Sequence, residues 1–427
     1  MATGTNEPIP AGTPAPPSLL ARLFRGDKVL WIAALVLAII SVLVVYSSTA
    51  KMAYAVSTAR TSAHFLRDQI IILALSLGAL LFVFRINSRV YNYFAPLVYL
   101  IFLGLTVAVY FIGHTTNGAA RWFPVFGFQF QPSEGLKVAT ILFLARQLAG
   151  RQSVMDKLRL VPTTFNIVRW WRDPEQRRIW REGTRPVLLP VVLSCAVIFP
   201  AHTSSALLVF IASLVMMLIG RVRTGELLKI LGLAVAAAVA AMTLNLGRSE
   251  TAGGRVDTWL ALWTEDRTEV PVDQLTDTER SMIAIRNGGI LGQGAGQSAM
   301  RVEMTHPESD YAYAFFVEEY GIIMAIVLLM LYLWIFFRAI LIFERCGTAF
   351  PGLLALGLAL LITSQALLHI MVTVNLFPET GQTLPLISRG GSSTLFTAVA
   401  LGMILSVSRQ NEEQSHDKPR NESIYEK

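Results

Sequence analysis

A chain of 427 residues in which 53% of side chains are hydrophobic and 15% charged, with a mean hydropathy of +0.52, lies outside the range of soluble domains and reads as a polytopic membrane protein. The net charge of +7 does not point to nucleic acid, because the basic residues collect in connections between apolar runs and form no binding face. Cys195, inside an apolar run, and Cys346, in a predicted turn at the opposite face, make a poor disulfide pair and suggest no metal site.

In chain order, residues 1–28 form a polar stretch with prolines at 8, 10, 14, 16 and 17, expected to be a disordered cytoplasmic tail with no cleavable signal peptide. Apolar runs approaching or reaching the roughly 17–25 residues that cross a bilayer follow near 29–48, 69–84, 94–113, 133–149, 186–200, 204–220, 228–246, 311–342, 351–375 and 390–408. The expectation is therefore an all-α polytopic membrane protein: ten transmembrane helices over 29–408, a large extracytoplasmic loop at 247–310 between spans 7 and 8, and a cytoplasmic tail at 409–427. Spans 5 and 6 are weakly separated, because Pro200 and a polar turn at Ala201, His202 and Thr203 interrupt the run.

Orientation follows from the basic residues. Arg22, Arg25 and Lys28 precede span 1, Arg85 and Arg89 follow span 2, and Arg221, Arg223 and Lys229 lie between spans 6 and 7. The 150–185 loop carries nine basic residues against four acidic ones and is expected on the inner leaflet, with Trp170, Trp171 and Trp180 at headgroup depth. Counting from a cytoplasmic N-terminus, the connections at 113–132, 201–203, 247–310 and 376–389 all fall on the outer face. The 247–310 segment stands apart in charge, with six basic residues against eleven acidic ones.

Four polar constellations lie on that expected outer face. In Gln131-Pro132-Ser133-Glu134, serine is placed to cap a helix whose first turn brings Glu134 and Lys137 onto one face. The pair is either a structural ion pair at the membrane boundary or, with Arg121 and Lys137 as donors, part of a site for an anionic group. Ser388-Arg389-Gly390-Gly391-Ser392-Ser393 opens span 10 with unpaired backbone N–H groups, an anion cradle or a tight packing loop. The glycine-rich run 288–297 lacks the spacing of a dinucleotide fingerprint and is expected to be a flexible outer loop. Asp310 is either a carboxylate serving the helix dipole of span 8 or a site residue, and Glu318 and Glu319 lie two turns further in. From 311 to 342 that helix would run about 48 Å, longer than a bilayer requires.

Taken together, Asn117-Gly118-Ala119-x-Arg121-Trp122, Gln131-Pro132-Ser133-Glu134-x-x-Lys137, Gly292-x-Gly294-x-Gly296-x-Ser298, His306-x-x-x-Asp310, Glu318-Glu319-x-Gly321 and Ser388-x-Gly390-Gly391-Ser392-Ser393 resemble the SEDS family (FtsW, RodA and SpoVE). The resemblance runs from span 1 to span 10. Phe377-Pro378-x-Thr380-Gly381-Gln382-Thr383-Leu384-Pro385-Leu386 looks more like the division type, FtsW, than the elongation type. Two departures stand out. His202 occupies the position where the family pattern has an aspartate, and Ser309-Asp310-Tyr311 replaces Thr-Asp-Phe.

The resemblance implies a peptidoglycan glycosyltransferase in the bacterial cytoplasmic membrane, both termini cytoplasmic, polymerising lipid II (undecaprenyl-pyrophosphate disaccharide-peptide) for septal cell wall synthesis. It implies a class B penicillin-binding protein transpeptidase and other divisome membrane proteins as partners, and no nucleic acid. Asp310 is then the candidate general base. Arg121, Lys137, Glu134, Arg389, Ser392 and, from the long loop, Arg255 are candidates for holding the pyrophosphate, with Glu318 and Glu319 in support. A divalent cation, magnesium or manganese, is compatible with a pyrophosphate substrate, but no motif dictates one. The rival readings are a lipid II flippase, in which the same groups line a translocation path, and a non-catalytic scaffold for the penicillin-binding protein.

Overall fold

The computed structural model describes residues 25–48, 62–116, 119–125, 128–155, 172–243, 249–264, 274–300, 303–304 and 308–425. Expectations placed on Asn117, Gly118, the 156–171 part of the basic loop, Arg248, Arg267, Arg301, His306 and the tail up to residue 24 lie outside these residues.

The helices are α1 (Lys28–Ser48), α2 (Ser62–Arg85), α3 (Ser88–Ile112), α4 (Pro132–Ala149), the short α5 (Gln152–Met155) and α6 (Pro174–Ile179). A π-helical turn, Trp180–Thr184, leads into α7 (Arg185–Ile198), followed by α8 (Thr203–Ile219), α9 (Thr224–Thr243), α10 (Ser249–Thr264) and α11 (Asp277–Gly288). The chain ends with α12 (Ala312–Arg345), α13 (Ala349–Thr373) and α14 (Gly391–Tyr425). Between α3 and α4 lies a small antiparallel meander: β1 (His114–Thr116), β2 (Ala119–Val125) and β3 (Phe128–Phe130), in that order, with Thr115 opposite Ala120 and Phe123 opposite Phe130.

The expectation of ten transmembrane helices is corrected. Among the described residues six helices are long and apolar enough to cross a membrane: Lys28–Ser48, Leu66–Arg85, Ser88–Ile112, Ala312–Arg345, Ala349–Thr373 and Gly391–Ser415. The run at 133–149 becomes α4, which carries Glu134, Lys137 and Arg146 and is buried along nearly its whole length inside the bundle. Those at 186–200 and 204–220 become helices of 14 and 17 residues, about 21 and 26 Å long, short of a hydrocarbon core of about 30 Å. The run at 228–246 becomes α9, whose first two turns hold the ion pair Glu226–Lys229 (2.7 Å). Counting spans therefore no longer assigns the loops to sides, and contacts must do so. The large loop expected at 247–310 is itself structured, since it contains α10 and α11.

α4, α13 and α14 are mostly buried and form the centre, whereas α2 and α3 present apolar faces outward. α2 lies along α14, α12 along α13, and α3 along α4. The last contact requires Gly135, where a Cβ would fall 2.2 Å from Phe102. Pro132 takes the first position of α4 with Gln131 as its cap, so Ser133, expected to cap, lies inside the helix.

One end of the molecule is closed by polar ties around α1 and α14. Asp27 caps α1 through Val29 N–H (2.9 Å) and receives Arg338 of α12 at 2.7 Å. Gln410 accepts from Ser88 Oγ, and Glu412 accepts from Gly26 N–H (2.9 Å). Residues 409–425, expected as a tail, continue α14 without a break.

Candidate functional site

At the other end, the connection between α13 and α14 (374–390) is a hub that most of the polar constellations touch. Gln382 donates to Ser205 Oγ (2.8 Å), and Ser204 Oγ donates to the Thr380 carbonyl (2.8 Å), both from the start of α8. Gln365 of α13 donates to the Thr383 carbonyl (3.0 Å), and Thr383 Oγ1 donates to Ser393 Oγ (2.8 Å). Tyr332 of α12 donates to the Pro385 carbonyl (2.6 Å) and Ser41 of α1 to that of Ile387 (3.2 Å). The backbone of this connection is thus satisfied by side chains from four helices, which fixes a non-regular segment in place.

Asp310 lies against that hub. Helix α12 begins at Ala312 and its cap is Tyr311, so Asp310 precedes the cap and is not the capping residue. Ser309 Oγ donates to Asp310 Oδ1 (2.9 Å). The flanking backbone is clamped to the hub: Ser388 Oγ donates to the Ser309 carbonyl (2.7 Å) and Arg389 N–H to the Glu308 carbonyl (2.8 Å). Asp310 Oδ2 lies 3.9 Å from where a Cβ on Gly381 would stand, an ordinary contact, and it is the φ of +63° that favours glycine at 381. Tyr311 is buried and its hydroxyl shares a hydrogen bond with Thr278 (3.0 Å), which ties α11 to the site and accounts for the hydroxyl that phenylalanine would lack.

The other candidates divide by what they touch. Lys137 is 2% exposed and its ammonium lies 2.8 Å from Glu134 and 2.9 Å from Gln365 Oε1. The structure therefore pairs Lys137 with Glu134, the structural alternative open at the sequence level, and places the pair beneath the hub. Ser392 is buried, and its hydroxyl accepts from Gln131 N–H (2.8 Å) and donates to the Gln129 carbonyl (3.1 Å), joining β3 to the start of α14. Arg121, on β2, is half-buried. Arg255 of α10 donates to the Glu379 carbonyl (3.4 Å), and Trp259 of the same helix donates to that of Asn375 (3.0 Å), so α10 is laid across the hub.

Glu318 and Glu319 are buried acceptors with a different task. Helix α12 breaks at Gly321 (φ +79°, ψ 173°), and the glycine-rich segment after α11 runs into the break. Gln293 N–H donates to the Glu318 carbonyl and Gly294 N–H to that of Glu319 (2.9 Å each), while Ile322 N–H donates to the Gly289 carbonyl (3.0 Å). The Glu318 carboxylate accepts from Ser298 Oγ and Asn287 Nδ2, and that of Glu319 from Gly296 N–H (2.8 Å) and Ser47 Oγ. The segment expected to be a flexible loop is thus held by two carboxylates and a broken helix.

The charge environment is uneven. Burial, with the positive charges of Arg121 and Lys137, pushes His202 down to about 3, and Arg255 adds to this, while a backbone hydrogen bond with Gly381 opposes it. His202 is therefore neutral, and its Nδ1 caps α8 by accepting from Ser205 N–H (3.3 Å). Arg121, Lys137 and Arg255 thus all act on His202, whose Nδ1 lies 3.2 Å from the Gln382 side-chain amide of the hub. Glu379 is raised by burial and by Asp310 and Asp277, with Arg255 pulling the other way. Among the described residues no three His, Cys, Asp or Glu side chains are grouped to hold a metal ion, and no step below runs through one.

Three residues at the hub escaped the sequence reading, Gln365, His369 and Glu379, and Gln382 entered it only as part of the 377–386 pattern. Gln365 and His369 are four apart in an apolar run, hence on one face of α13, and polar residues at that spacing inside a membrane-crossing helix are the signal that could have found them. Glu379 and Gln382 lie in a loop, where no periodicity marks them.

Comparison with known proteins gives the family and the fold. The family model for FtsW/RodA/SpoVE cell cycle proteins matches residues 27–413. A probable peptidoglycan glycosyltransferase FtsW of Polynucleobacter necessarius is 28% identical over 399 residues, covering 92% of this chain and 88% of its own. Stage V sporulation protein E of Bacillus subtilis is 28% identical over 394 residues, covering 90% and 97%. Among solved structures, a chain from work on the structural coordination of polymerization and crosslinking by a peptidoglycan synthase complex superposes with a TM-score of 0.65 at 21% identity, covering 90% of this chain and 98% of that one. The crystal structure of the Thermus thermophilus rod shape determining protein RodA gives 0.57 at 22% identity, covering 90% and 97%. At these identities the solved structures establish the fold.

Proposed function

Because the chain belongs to the FtsW/RodA/SpoVE family of cell cycle proteins, and is a multi-pass membrane protein, we propose that it is a peptidoglycan glycosyltransferase that polymerises lipid II at the outer face of the bacterial cytoplasmic membrane. The observation that carries this reading is the convergence of residues from 121 to 393 on the 374–390 hub with Asp310 beside it. Relatives named as probable peptidoglycan glycosyltransferases support the activity. The FtsW-like pattern at 377–386 supports a septal role, with both termini cytoplasmic.

In this mechanism Asp310 takes the proton from the 4-hydroxyl of the acceptor sugar. The oxygen attacks the anomeric carbon of the second sugar and the lipid pyrophosphate departs with inversion. A positioned base contributes roughly 10²–10⁴-fold, and stabilising the departing charge often contributes more. Arg121, Arg389 and Arg255 are the proposed pyrophosphate cations. Lys137, paired with Glu134, supports them from beneath by tying α4 to Gln365 of α13, Ser392 by joining β3 to α14, and Glu318 and Glu319 hold the start of α12. A class B penicillin-binding protein transpeptidase is the proposed partner, with other divisome membrane proteins.

Purified protein given lipid II in detergent tests the reading, with and without the cognate transpeptidase. Wild type should form glycan chains, and Asp310→Asn should lower the rate by at least about 10²-fold without loss of folded protein. Chain growth that survives Asp310→Asn sinks the catalytic assignment. Lipid II flipping in liposomes without chain growth favours the transporter, and neither activity favours a scaffold.

A further inference from the structure

We propose that His369, a buried histidine of α13, is the positioning residue that sets Asp310 against the 374–390 hub. The inference rests on Asp310 being the base. His369 is fully buried, yet both ring nitrogens are engaged, and they reach the two segments that build the site. Nε2 accepts from the backbone N–H of Tyr313 (3.4 Å), three residues after Asp310 in the first turn of α12. Nδ1 lies 2.7 Å from the carbonyl oxygen of Gln382, the residue after Gly381.

These two bonds fix the tautomer. An Nε2 that accepts carries no proton, so the proton of the neutral ring is on Nδ1 and is donated to Gln382. The imidazole is then a rigid spacer, donor on one edge and acceptor on the other, between the segment carrying the carboxylate and the loop facing it. Its bonds complete a set of three. Ser388 and Arg389 clamp residues 309 and 308 on one side of Asp310, and His369 holds residue 313 on the other. The Gln382 side chain extends the line, donating to Ser205 Oγ (2.8 Å) at the start of α8. A displacement of the order of 1 Å in a reacting group costs on the order of 10²-fold in rate, and the His369 side chain joins α12, α13 and the hub at one point.

The two bonds can be copied one at a time. An asparagine amide reaches the place of Nδ1 and a glutamine amide the place of Nε2, whereas leucine copies neither. Full-length His369→Asn, His369→Gln and His369→Leu, purified in detergent and given lipid II, should be compared for kcat, KM and melting temperature. The expected result is a kcat lowered on the order of 10²-fold in the leucine variant and partly restored in both amide variants, with KM for lipid II within about twofold of wild type because the pyrophosphate cations are untouched. Unchanged kcat per folded molecule overturns the proposal. So does a rise in KM alone, or a kcat loss in the leucine variant that neither amide restores. Should the leucine variant not fold, the two amide variants carry the same comparison against wild type. Activity surviving Asp310→Asn would defeat the underlying mechanism, whereas an inactive Asp310→Asn beside a fully active His369→Asn and His369→Gln defeats this inference alone.

Discussion

Individual residues at this site are decided by their neighbours more than by their type. Lys137 and Arg121 are both cations that act on His202, yet Lys137 is enclosed with Glu134 and Gln365 while Arg121 stands half-buried on a strand. Glu379 shows the reverse case, a carboxylate placed among other carboxylates. Burial raises it, Asp310 and Asp277 add to this, and Arg255 opposes them. A raised carboxyl binds its proton more tightly in the folded chain than in the unfolded one. Its stabilising contribution is therefore full at acid pH and is lost as pH rises through its folded value. Glu379→Gln, which keeps the shape and cannot ionise, should raise the melting temperature at pH 8 and leave it unchanged near pH 4, read by scanning fluorimetry at both pH values. The same substitution removes a like charge from Asp310, so the acid limb of the polymerisation rate should move to lower pH.

At the scale of elements, the broken helix α12 is the feature that organises the 288–297 segment. The first eight residues, up to Glu319, are buried, and the apolar residues facing outward, Ile322, Ile323 and Ile326, begin after the break. The break lets the backbone of the 288–297 segment enter the helix and exchange hydrogen bonds with both sides of it. Gly321 has φ +79° and a Cβ there would fall 2.4 Å from the Ile290 carbonyl oxygen, while a Cβ on Gly292 would fall 2.3 Å from that of Glu319. Gly321→Ala should therefore destabilise the protein by more than the roughly 1 kcal/mol of an ordinary glycine replacement, because strain and a backbone collision act together. The measurement is the melting temperature in detergent, alongside protease sensitivity of the 288–297 segment, which should rise as the segment leaves the break.

For the molecule as a whole, two polar ends separated by an apolar bundle make a claim about sidedness. Leu291, 80% exposed at the glycine-rich segment, belongs to the Asp310 end, and Glu413 belongs to the end closed by Asp27 and Arg338. With Cys195 and Cys346 replaced by serine, Leu291→Cys should react with a membrane-impermeant maleimide in intact cells, and Glu413→Cys only after the membrane is opened. The reverse pattern would invert the proposed orientation. Sequence alone determined that the chain is a polytopic helical membrane protein and that it has the family motifs in order, which made Asp310 a candidate, because apolar composition and local motifs are written in neighbouring residues. It also suggested ten spans, because an apolar run does not reveal that the helix it forms is short, as α7 and α8 are, or encloses an ion pair, as α4 does with Glu134 and Lys137. Only the tertiary structure decided that Lys137 is paired beneath the hub, that Glu318 and Glu319 hold a broken helix, and that Gln365, His369 and Gln382 belong to the site. Those roles depend on contacts between residues up to 272 positions apart, as from Ser47 to Glu319, and such contacts exist only once burial has brought the helices together.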